Sequence, residues 1–399
     1  MRPPLADLLV LELASVLAGP SVGQFFAELG ATVIKVENPR TMGDVTRRWR
    51  APHVDDATES DDRSAYFCCC NSGKQSIALN LSTEAGQDVL HALAAKADVA
   101  LASYRPGTAE ALGADYETLS AVNPGLIYGH VTGYGPDRAR AGYDAIIQAE
   151  SGFMHMNGAA DGPPTKLPVA LMDVLAAHQL KEGLLVALLN RERGDNGAYV
   201  PVSLFQAAVS GLVNQATNWL VAGHSPQRMG SAHPNIAPYG TPYSSADDES
   251  IVLAVGTDRQ YAALCEILER PDLAEDPRFS TNADRVAHRD ALTRALAACI
   301  GQFQSDALLT SLHEANVPAG LVRDVPAVFD QPAAQAMVFN AENDPPSLRQ
   351  AAFPHPNGAS PSLAPPPHYA EHTATVLRER LGCSPERINA LAKEDVIVR

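Results

Sequence analysis

Alternation between short apolar runs and helical segments is the sequence feature that most restricts the fold of this chain. Residues 8–13 form a largely apolar run, and the turn Ala18-Gly19-Pro20 follows it. Pro20 suits the first position of a helix, and Gly30 suits its end because glycine accepts the backbone geometry found after helices. The β-branched run 32–36 is typical of a buried strand. These residues therefore predict one β-α-β unit.

The same alternation recurs further along the chain. A strand over 76–81, a helix that starts after Ser82 and a strand over 99–102 make the second predicted unit. A helix over 115–122 and a strand over 126–131 make the third. Repeated units of this kind predict an α/β fold with a doubly wound, Rossmann-like parallel sheet covered by helices on both faces. Ligands of such sheets bind beyond the carboxyl ends of the strands, so the predicted site segments are 15–19, 37–40, 103–107 and 132–135.

The turn after the first predicted strand lacks a nucleotide-binding fingerprint. A dinucleotide-binding protein would carry Gly-x-Gly-x-x-Gly there, whereas this chain reads Leu17-Ala18-Gly19-Pro20-Ser21-Val22-Gly23. The sequence also has no Walker-type phosphate loop and no His-Glu-x-x-His zinc motif. An α/β enzyme without these motifs has to use another chemical group.

The acidic balance of the chain restricts its partners. Thirty Lys and Arg stand against 46 Asp and Glu, which gives a formal net charge of −16 and a sequence pI near 5.1. Such a surface repels phosphate backbones and anionic lipid, so we predict no nucleic-acid partner and expect any anionic metabolite to need a local pocket of Lys or Arg. No apolar run approaches the roughly 20 residues of a membrane span, and the N-terminal residues do not resemble a secretory signal. We therefore predict a cytoplasmic protein without membrane association.

The six cysteines do not form a disulfide framework. Cys68, Cys69 and Cys70 are consecutive, and successive side chains of an extended segment point to opposite faces. No Cys-x-x-Cys pair is present. Buried thiols in a reducing compartment are the favoured interpretation, with a redox or metal role as the alternative, and we predict no metal site.

Asp173 stands at the junction of an apolar segment and a long helix rich in Ala and Leu. One interpretation is structural, a helix N-cap or a first-turn acid favoured by the helix dipole. The other is functional, a carboxylate nucleophile at a helix start beside a cleft, where backbone amides stabilise a developing oxyanion. The residues alone leave both interpretations open.

Short fragments spread along nearly the whole chain occur in an order shared with a known family. The fragments are Leu17-Ala18-Gly19-Pro20, Leu29-Gly30-Ala31, Val33-Ile34-Lys35-Val36-Glu37, Gly43-Asp44, Lys74-Gln75-Ser76-Ile77, Tyr104-Arg105-Pro106-Gly107, Leu112-Gly113, Asn123-Pro124, Gly133-Tyr134-Gly135-Pro136, Gly142-Tyr143-Asp144, Asp173, His233-Pro234-Asn235-Ile236-Ala237-Pro238-Tyr239-Gly240, Asp276-Pro277-Arg278-Phe279, Asn316-Val317-Pro318-Ala319-Gly320 and Glu371-His372-Thr373. Each fragment is short, but their common order resembles CoA-transferase family III, the group of formyl-CoA transferase and carnitine CoA-transferase.

The resemblance implies an enzyme that moves CoA from an acyl-CoA thioester to a small free carboxylic acid, dicarboxylates included. Asp173 would attack the thioester to form an acyl-aspartyl anhydride, and the CoA thiolate would convert this anhydride to an aspartyl-CoA thioester on which the acceptor acid reverses the sequence. Coenzyme A is then substrate and product, with no permanently bound cofactor. Exchanging thioesters needs no ATP, but water has to be excluded because it would hydrolyse both intermediates. The resemblance favours the nucleophile interpretation of Asp173, with which a helix-start position is compatible.

The family's CoA contacts carry over to a small set of positions by this resemblance. They are Leu17, Asn38, Arg40, Leu79, Ser103, Tyr104 and Arg105 for CoA, with Tyr143 near the reacting carbonyl. This chain departs from the formyl-CoA transferase pattern where Leu17 replaces a glutamine, Asn38 an arginine and Ser103 an asparagine. Arg40 lies two positions beyond Asn38 and is the candidate for the phosphate that the missing arginine would contact.

Two of these positions have structural alternatives. Arg105 reads either as a phosphate ligand after a strand end or as a solvated turn cation. Tyr104 reads either as a CoA contact or as a packing aromatic side chain.

The resemblance also implies the domain organisation. Residues 1–224 would form the N-terminal part of a large domain, with the CoA site and Asp173. Residues 225–330 would form a smaller α+β domain with its connector, and residues 331–399 would return the chain to the large domain. A family member would form an interlocked homodimer in which each chain threads the other.

Two other functions remain as alternatives. The 2-methylacyl-CoA racemases of the same fold carry a Gly-His-Asp segment whose histidine acts as a base, whereas this chain reads Gly142-Tyr143-Asp144. The second alternative is a non-catalytic protein that binds CoA esters.

Overall fold

The computed structural model describes residues 2–51, 61–339, 344–353 and 363–399. Its first part contains, in chain order, β1 (Leu9–Leu13), α1 (Ala18–Glu28), β2 (Thr32–Glu37), α2 (Ala65–Cys68), β3 (Lys74–Leu79), α3 (Glu84–Ala94), β4 (Val99–Ala102), α4 (Thr108–Ala111), α5 (Tyr116–Val122), β5 (Ile127–Thr132), α6 (Asp144–Glu150), α7 (Phe153–Met156), α8 (Leu171–Glu192), β6 (Ala198–Ser203) and α9 (Leu204–Gly211). The remainder contains α10 (Val213–Ala222), β7 (Tyr239–Ser244), β8 (Ser250–Ala254), α11 (Asp258–Ile267), α12 (Pro271–Glu275), α13 (Asn282–Ala287), α14 (Arg289–Ile300), α15 (Ser305–Glu314), β9 (Ala319–Leu321), α16 (Val325–Phe329), α17 (Pro332–Gln335), β10 (Val338–Phe339), β11 (Ser347–Leu348), α18 (Thr373–Leu381), α19 (Pro385–Lys393) and β12 (Ile397–Val398).

A seven-stranded sheet in the order β12-β3-β2-β1-β4-β5-β6 organises the larger part of the chain. All neighbouring strands pair in parallel except β12, which joins the edge beside β3 in antiparallel orientation. The prediction of an α/β fold with a large parallel sheet is therefore confirmed. The order reverses between β1 and β4, which is the switch point where open sheets of this type bind ligands.

Helices cover both faces of this sheet. Leu11, Ile34 and Tyr128 face a buried cluster that also contains residues of α3, α5, α18 and α19. On the opposite face, a Cβ at Gly129 would lie 3.2 Å from the Leu180 side chain of α8. The C-terminal helices thus complete the core that the N-terminal strands begin.

The sequence predicts most element boundaries of this sheet to within a few residues. One local prediction is wrong: α1 begins at Ala18, so Pro20 is its third residue rather than its first. The third position of a helix tolerates proline because the N–H groups of the first turn have no partner within the helix.

The described residues divide into two compact units. The first comprises 1–151, 168–212 and 333–399, and the second 152–167 and 213–332. Segment 152–167 belongs to the second unit, and the predicted domain ranges stay a prediction. The Arg228 guanidinium donates to the Gly162 and His155 carbonyls, and the Gly230 N–H donates to the Gly158 carbonyl.

The second unit has its own core. The antiparallel sheet β7-β8-β9 packs with α11, α14 and α15 around a buried apolar cluster that includes Leu253, Leu264, Leu296 and Leu308. Arg285 is buried here, with its guanidinium bonded to the Ala237 carbonyl at 2.9 Å.

Across the described ranges, no helix has the length and apolar character needed to cross a membrane. The cytoplasmic location stays a prediction.

Candidate active site

A cleft of about 170 Å³ opens at the carboxyl ends of β1, β4, β5 and β6 in the first unit. The turn between β1 and α1, the turn after β4 and the loop after β5 form its walls, and the start of α8 contributes one acidic side chain. Its lining residues are Ser15, Val16, Ala18, Gly19, Ser103, Tyr104, Arg105, Pro106, Val131, Thr132, Gly133, Arg138, Arg140, Ala141, Gly142, Tyr143, Asp173 and Leu204. The predicted segments after the first, fourth and fifth strands therefore meet in one cleft.

Asp173 is the acidic residue of this cleft. It is the third residue of α8, whose N-cap is Ala170, so Asp173 is a first-turn acid and not the cap. Burial and the neighbouring Asp144 carboxylate raise the pKa of Asp173 to about 7, although the Ala18 N–H donates to it and opposes this shift. A carboxylate that is poorly solvated yet still ionised near neutral pH is suited to nucleophilic attack.

Asp144 holds the start of α8 from the side of α6. Its Oδ1 accepts the Met172 N–H at 3.0 Å, and its Oδ2 accepts from the Gln148 amide at 2.8 Å. The carboxylate therefore binds an N–H of the first helical turn that has no partner within α8. Asp144 thus places the residue next to Asp173 and also supplies part of its negative environment.

The turn between β1 and α1 has an unusual backbone. Val16 adopts φ of 73°, a left-handed conformation that is rare for a β-branched side chain. Ser15 N–H donates to Ser103 Oγ at 3.2 Å, which ties this turn to the one after β4. The Ala18 N–H, at the first residue of α1, is left free of helical partners and points to Asp173.

The predicted site residues separate into two groups. Ser103, Tyr104, Arg105 and Tyr143 line the cleft together with Asp173. Tyr104 also packs against the core, and burial raises its pKa to about 12. The CoA contact of Tyr104 stays a prediction. These placements bring five separate predictions to one site.

The other four predicted residues do not line the cleft. Leu79 is the last residue of β3 and is 2% exposed in the core, so its side chain is not available to a ligand. Asn38 and Arg40 are exposed after β2, where Asn38 Oδ1 accepts the Arg40 N–H at 2.9 Å. Leu17 is the N-cap of α1, beside lining residues on both sides.

Three residues that the sequence analysis did not single out line this cleft or lie close enough to Asp173 to feel its charge. Arg138 and Arg140 line the cleft from the loop after β5. Burial raises the pKa of Tyr66 in α2, and the Asp173 carboxylate adds to this effect. The basic residues directly after Gly133-Tyr134-Gly135-Pro136 could have indicated that these arginines belong to the site. Nothing in the sequence indicates that Tyr66 lies near Asp173.

The segment Gly19-Pro20-Ser21-Val22-Gly23 has the residue spacing of a hydrolase nucleophile elbow. Ser21, however, is the fourth residue of α1 and is only 4% exposed. A nucleophile elbow presents its serine at the turn between strand and helix, so the spacing here is coincidental.

Potential metal ligands come together elsewhere in the described part of the chain, at Asp61, Asp62 and His368. Arg63 Nη2 lies 2.8 Å from Asp61 Oδ2, and Arg47 Nη1 lies 3.3 Å from Asp62 Oδ2. These cations already neutralise the carboxylates, and we assign no metal to them.

Comparisons with known proteins place this chain in a family. A family model described as CoA-transferase family III matches residues 5–373. The chain is 38% identical over 338 residues to succinate–glutarate CoA-transferase of Agrobacterium fabrum, which covers 84% of each chain. It is 36% identical over 373 residues to acetyl-CoA:oxalate CoA-transferase of Acetobacter aceti, covering 91% of this chain and 93% of that one. The crystal structure of a CAIB/BAIF family protein from Brucella suis matches with a TM-score of 0.82 at 39% identity, over 95% of this chain and 100% of that one.

Proposed function

The chain belongs to CoA-transferase family III, and from this premise we propose that it moves CoA between carboxylic acids through covalent intermediates on Asp173. A CoA-transferase exchanges CoA between an acyl-CoA thioester and a free acid, so CoA enters and leaves as part of the substrates. The observation that carries the proposal is the ionisable, poorly solvated carboxylate of Asp173 in a cleft of limited volume at the switch point of the sheet.

In the first half-reaction, an Asp173 Oδ atom attacks the thioester carbonyl and the C–S bond breaks. This step yields an acyl-aspartyl anhydride and CoA thiolate. The thiolate then attacks the aspartyl carbonyl, the donor acid leaves as its carboxylate, and Asp173 becomes a CoA thioester. The acceptor carboxylate runs the same two steps in reverse, so the second half-reaction regenerates Asp173 and releases the new acyl-CoA.

Groups around Asp173 suit the charge changes of these steps. Negative charge develops on a carbonyl oxygen during each attack, and preorganised N–H donors at a helix start stabilise such an oxyanion. The first residues of α1, with the Ala18 N–H, lie at the carboxylate. Arg105 and Arg138 add positive charge to a chain whose net charge is otherwise strongly negative.

The acid substrates that we propose are small dicarboxylates. The relatives named above transfer CoA to or from succinate, glutarate and oxalate. In the cleft, Arg140 is engaged by Glu150, with Nη1 3.0 Å from Oε2. Within the ranges that the structure describes, neither Arg138 nor Arg105 has a hydrogen-bond or ion-pair partner for its guanidinium. Since the family resemblance assigns Arg105 to CoA, Arg138 is the arginine that we propose for the distal carboxylate of the acid.

We expect Arg138→Ala to raise the KM for a dicarboxylate acceptor at least about tenfold, because a charge-assisted contact is lost. The KM for a monocarboxylate acceptor should change less than about twofold. Steady-state kinetics with paired acceptors, such as succinate against butyrate, measure this difference. Arg193→Ala, at an exposed arginine outside the lining set, is the matched control. Equal effects on both acceptors would contradict the assignment of Arg138 to the distal carboxylate.

The racemase alternative receives no support from the cleft. Racemisation next to a thioester needs a base beside the carbon, and the cleft lining contains no histidine among its residues. Solvent deuterium entering recovered acyl-CoA without a second acid would reverse this conclusion. Absence of exchange with every acid pair would instead favour a protein that only binds CoA esters.

We propose further that the chain acts as an interlocked homodimer. Leu185, Val186 and Leu189 on α8 are exposed, and among the residues of α10 none is buried, with Leu220 75% and Val221 84% exposed. Apolar side chains on such exposed helix faces are typical of surfaces that another chain covers. Light scattering should give twice the mass of one chain.

The test of the mechanism is to trap Asp173 during turnover. Hydroxylamine added while acyl-CoA and acid exchange should convert Asp173 to a hydroxamate, because anhydrides and thioesters react with it and free carboxylates do not. Peptide mass spectrometry reads the modification, with Asp161, an exposed acid outside the cleft, as the internal reference. Continued exchange without any modification of Asp173 would overturn the mechanism.

A further inference from the structure

Charged side chains from β2, β3 and the segment after β2 contact the backbone of the turn between β1 and α1 and of the first residues of α1. Lys35 Nζ on β2 donates to the Ala14 carbonyl at 3.1 Å, and Lys74 Nζ on β3 donates to the Pro20 carbonyl at 2.9 Å. Asp44 Oδ2 accepts the Val16 N–H at 3.3 Å. Polar contacts thus hold the backbone before, at and after Val16. A strained backbone conformation persists only where the surrounding structure fixes it in this way.

These side chains form one buried ionic cluster. Lys35 Nζ lies 2.9 Å from both Glu12 Oε1 and Asp44 Oδ2, and Lys74 Nζ lies 2.7 Å from Glu12 Oε2. All four side chains are at most 1% exposed. Two acids and two lysines balance in charge, so the cluster is neutral although it is fully enclosed.

The cluster borders α1 as closely as it borders the turn. A Cβ at Gly23 of α1 would lie 1.8 Å from Glu12 Oε2. No larger residue fits at this position unless the carboxylate moves. The charged groups therefore pack directly against α1 and restrict the position of its first turns, which include the Ala18 N–H.

We propose that Asp44 is a positioning residue, which together with Lys35 holds the Val16 turn so that the Ala18 N–H is directed at the nucleophile Asp173. Asp44 itself is not among the lining residues, so it acts through the turn and not on the substrate. This inference rests on the proposed function, because it concerns the reactivity of Asp173.

Asp44→Asn is the variant that tests this role. Asp44 Oδ2 accepts from Val16 and Lys35, and Oδ1 accepts the Thr46 N–H at 3.0 Å. Asparagine replaces one of the two carboxylate oxygens by an NH2 group. In either orientation of the amide this NH2 group would face another donor, so the variant cannot keep all of these contacts. The turn should loosen while the size of the side chain is preserved.

The expected effect is a shift of the pH profile. Asp173 attacks as a carboxylate, so kcat/KM for acyl-CoA should fall as the pH drops through about 7 in the parent enzyme. The Ala18 N–H favours the carboxylate, so its displacement raises the pKa of Asp173 and moves this acidic limb to higher pH. We expect a shift of at least about 0.5 pH units in Asp44→Asn and a fall in kcat at pH 7 of at least about fivefold, with KM changed less than about threefold.

The other charged or titratable groups near Asp173 and around the cleft are not altered in this variant. They are Asp144 from α6, Tyr66 from α2, and Tyr104, Arg105, Arg138, Arg140 and Tyr143 around the cleft. A shift of the acidic limb of the pH profile to higher pH in Asp44→Asn is therefore attributable to the altered turn between β1 and α1.

Asp98→Asn is the matched control. Asp98 pairs with Arg191 and accepts the Leu9 N–H at 2.8 Å, so it supports the opposite end of β1 in the same way. Its pH profile should superpose on that of the parent. Thr46→Val is a second test variant, because the Thr46 hydroxyl donates to Asp44 Oδ1 at 2.8 Å and both charges remain. It should shift the limb in the same direction by a smaller amount.

The outcomes separate this inference from the mechanism. If hydroxylamine modifies Asp173 in the parent but the profiles of Asp44→Asn and Thr46→Val superpose on that of Asp98→Asn, only the positioning role is overturned. Should Asp44→Asn fail to fold, Thr46→Val decides alone. If the parent is not modified at Asp173, the mechanism itself has failed.

Discussion

Replacing Asp173 by asparagine is expected to abolish CoA transfer and, at the same time, to stabilise the folded protein above neutral pH. The loss of the nucleophile should reduce kcat at least about 10³-fold. The gain in stability follows from burial, since the pKa of Asp173 is about 7 in the folded protein, against about 3.9 in an unfolded chain.

The sign of the stability change follows from proton binding. Between pH 4 and 7 the folded state keeps a proton that the unfolded state has lost, so the folded state becomes less stable as the pH rises through this window. Above pH 7 the full penalty applies, at most about 4 kcal/mol for a shift of roughly three pKa units, because Asp173 retains some exposure. Asparagine carries no charge and removes this penalty.

Urea unfolding of the parent and of Asp173→Asn at pH 5 and pH 8 measures the effect. The variant should be more stable than the parent by a margin that is clearly larger at pH 8. Asp161→Asn, which removes an exposed acid outside the cleft, should change neither activity nor stability beyond about 0.5 kcal/mol. A variant that keeps more than about 1% of activity, or whose margin is the same at both pH values, would contradict the assigned environment of Asp173.

The second large effect concerns the ionic cluster inside the sheet. Lys35→Met should reduce the free energy of unfolding by about 3–5 kcal/mol, because Glu12 and Asp44 then remain buried without their shared cation. Burial alone lowers the pKa of Lys35, but the carboxylates of Asp44, Glu12 and Glu37 outweigh it and raise this pKa. A raised lysine pKa means that the stabilising contribution is present in full below about pH 10 and is lost only as the pH rises beyond it.

Urea denaturation at pH 8 tests this expectation. The same substitution at Lys96, an exposed lysine of the same unit, should stay within about 0.5 kcal/mol of the parent. At pH 5 the deficit of Lys35→Met should become smaller, because Asp44 has then lost its cation and takes up a proton more readily. A change below about 1 kcal/mol at pH 8 would show that the cluster is less tightly paired than its distances indicate.

Glu12 illustrates what the sequence alone does not reveal. It interrupts the apolar run that predicts β1, and alternation along a strand assigns it to one face of the sheet. The pattern does not tell which side chains meet it there. The structure places Lys35 of β2 and Lys74 of β3 against it, and the pairing of the sheet brings these strands to the same side of β1.

Among the site residues, too, some positions were predictable from the sequence and others were not. The local pattern predicted the positions of Asp173 at a helix start and of Arg105 after a strand end, whereas their proposed roles depend on the family resemblance. Leu79 was carried over as a CoA contact, yet its side chain lies in the core. Arg138 gave only a weak local signal, and its place in the cleft depends on how the loop after β5 folds toward β1 and β4.

Local periodicity and turn chemistry in the chain therefore determine the strands and the helices, because these depend on neighbours a few residues apart. The repeated alternation of these elements predicts the parallel sheet with its ligand edge. Only the tertiary structure decides the reactivity of Asp173. Its pKa depends on Asp144 and on the Ala18 N–H, and the Ala18 N–H in turn depends on a turn that Asp44 and Lys35 hold. Electrostatic interactions act across space, so groups that are far apart in sequence set the charge of the residue at the centre of the site.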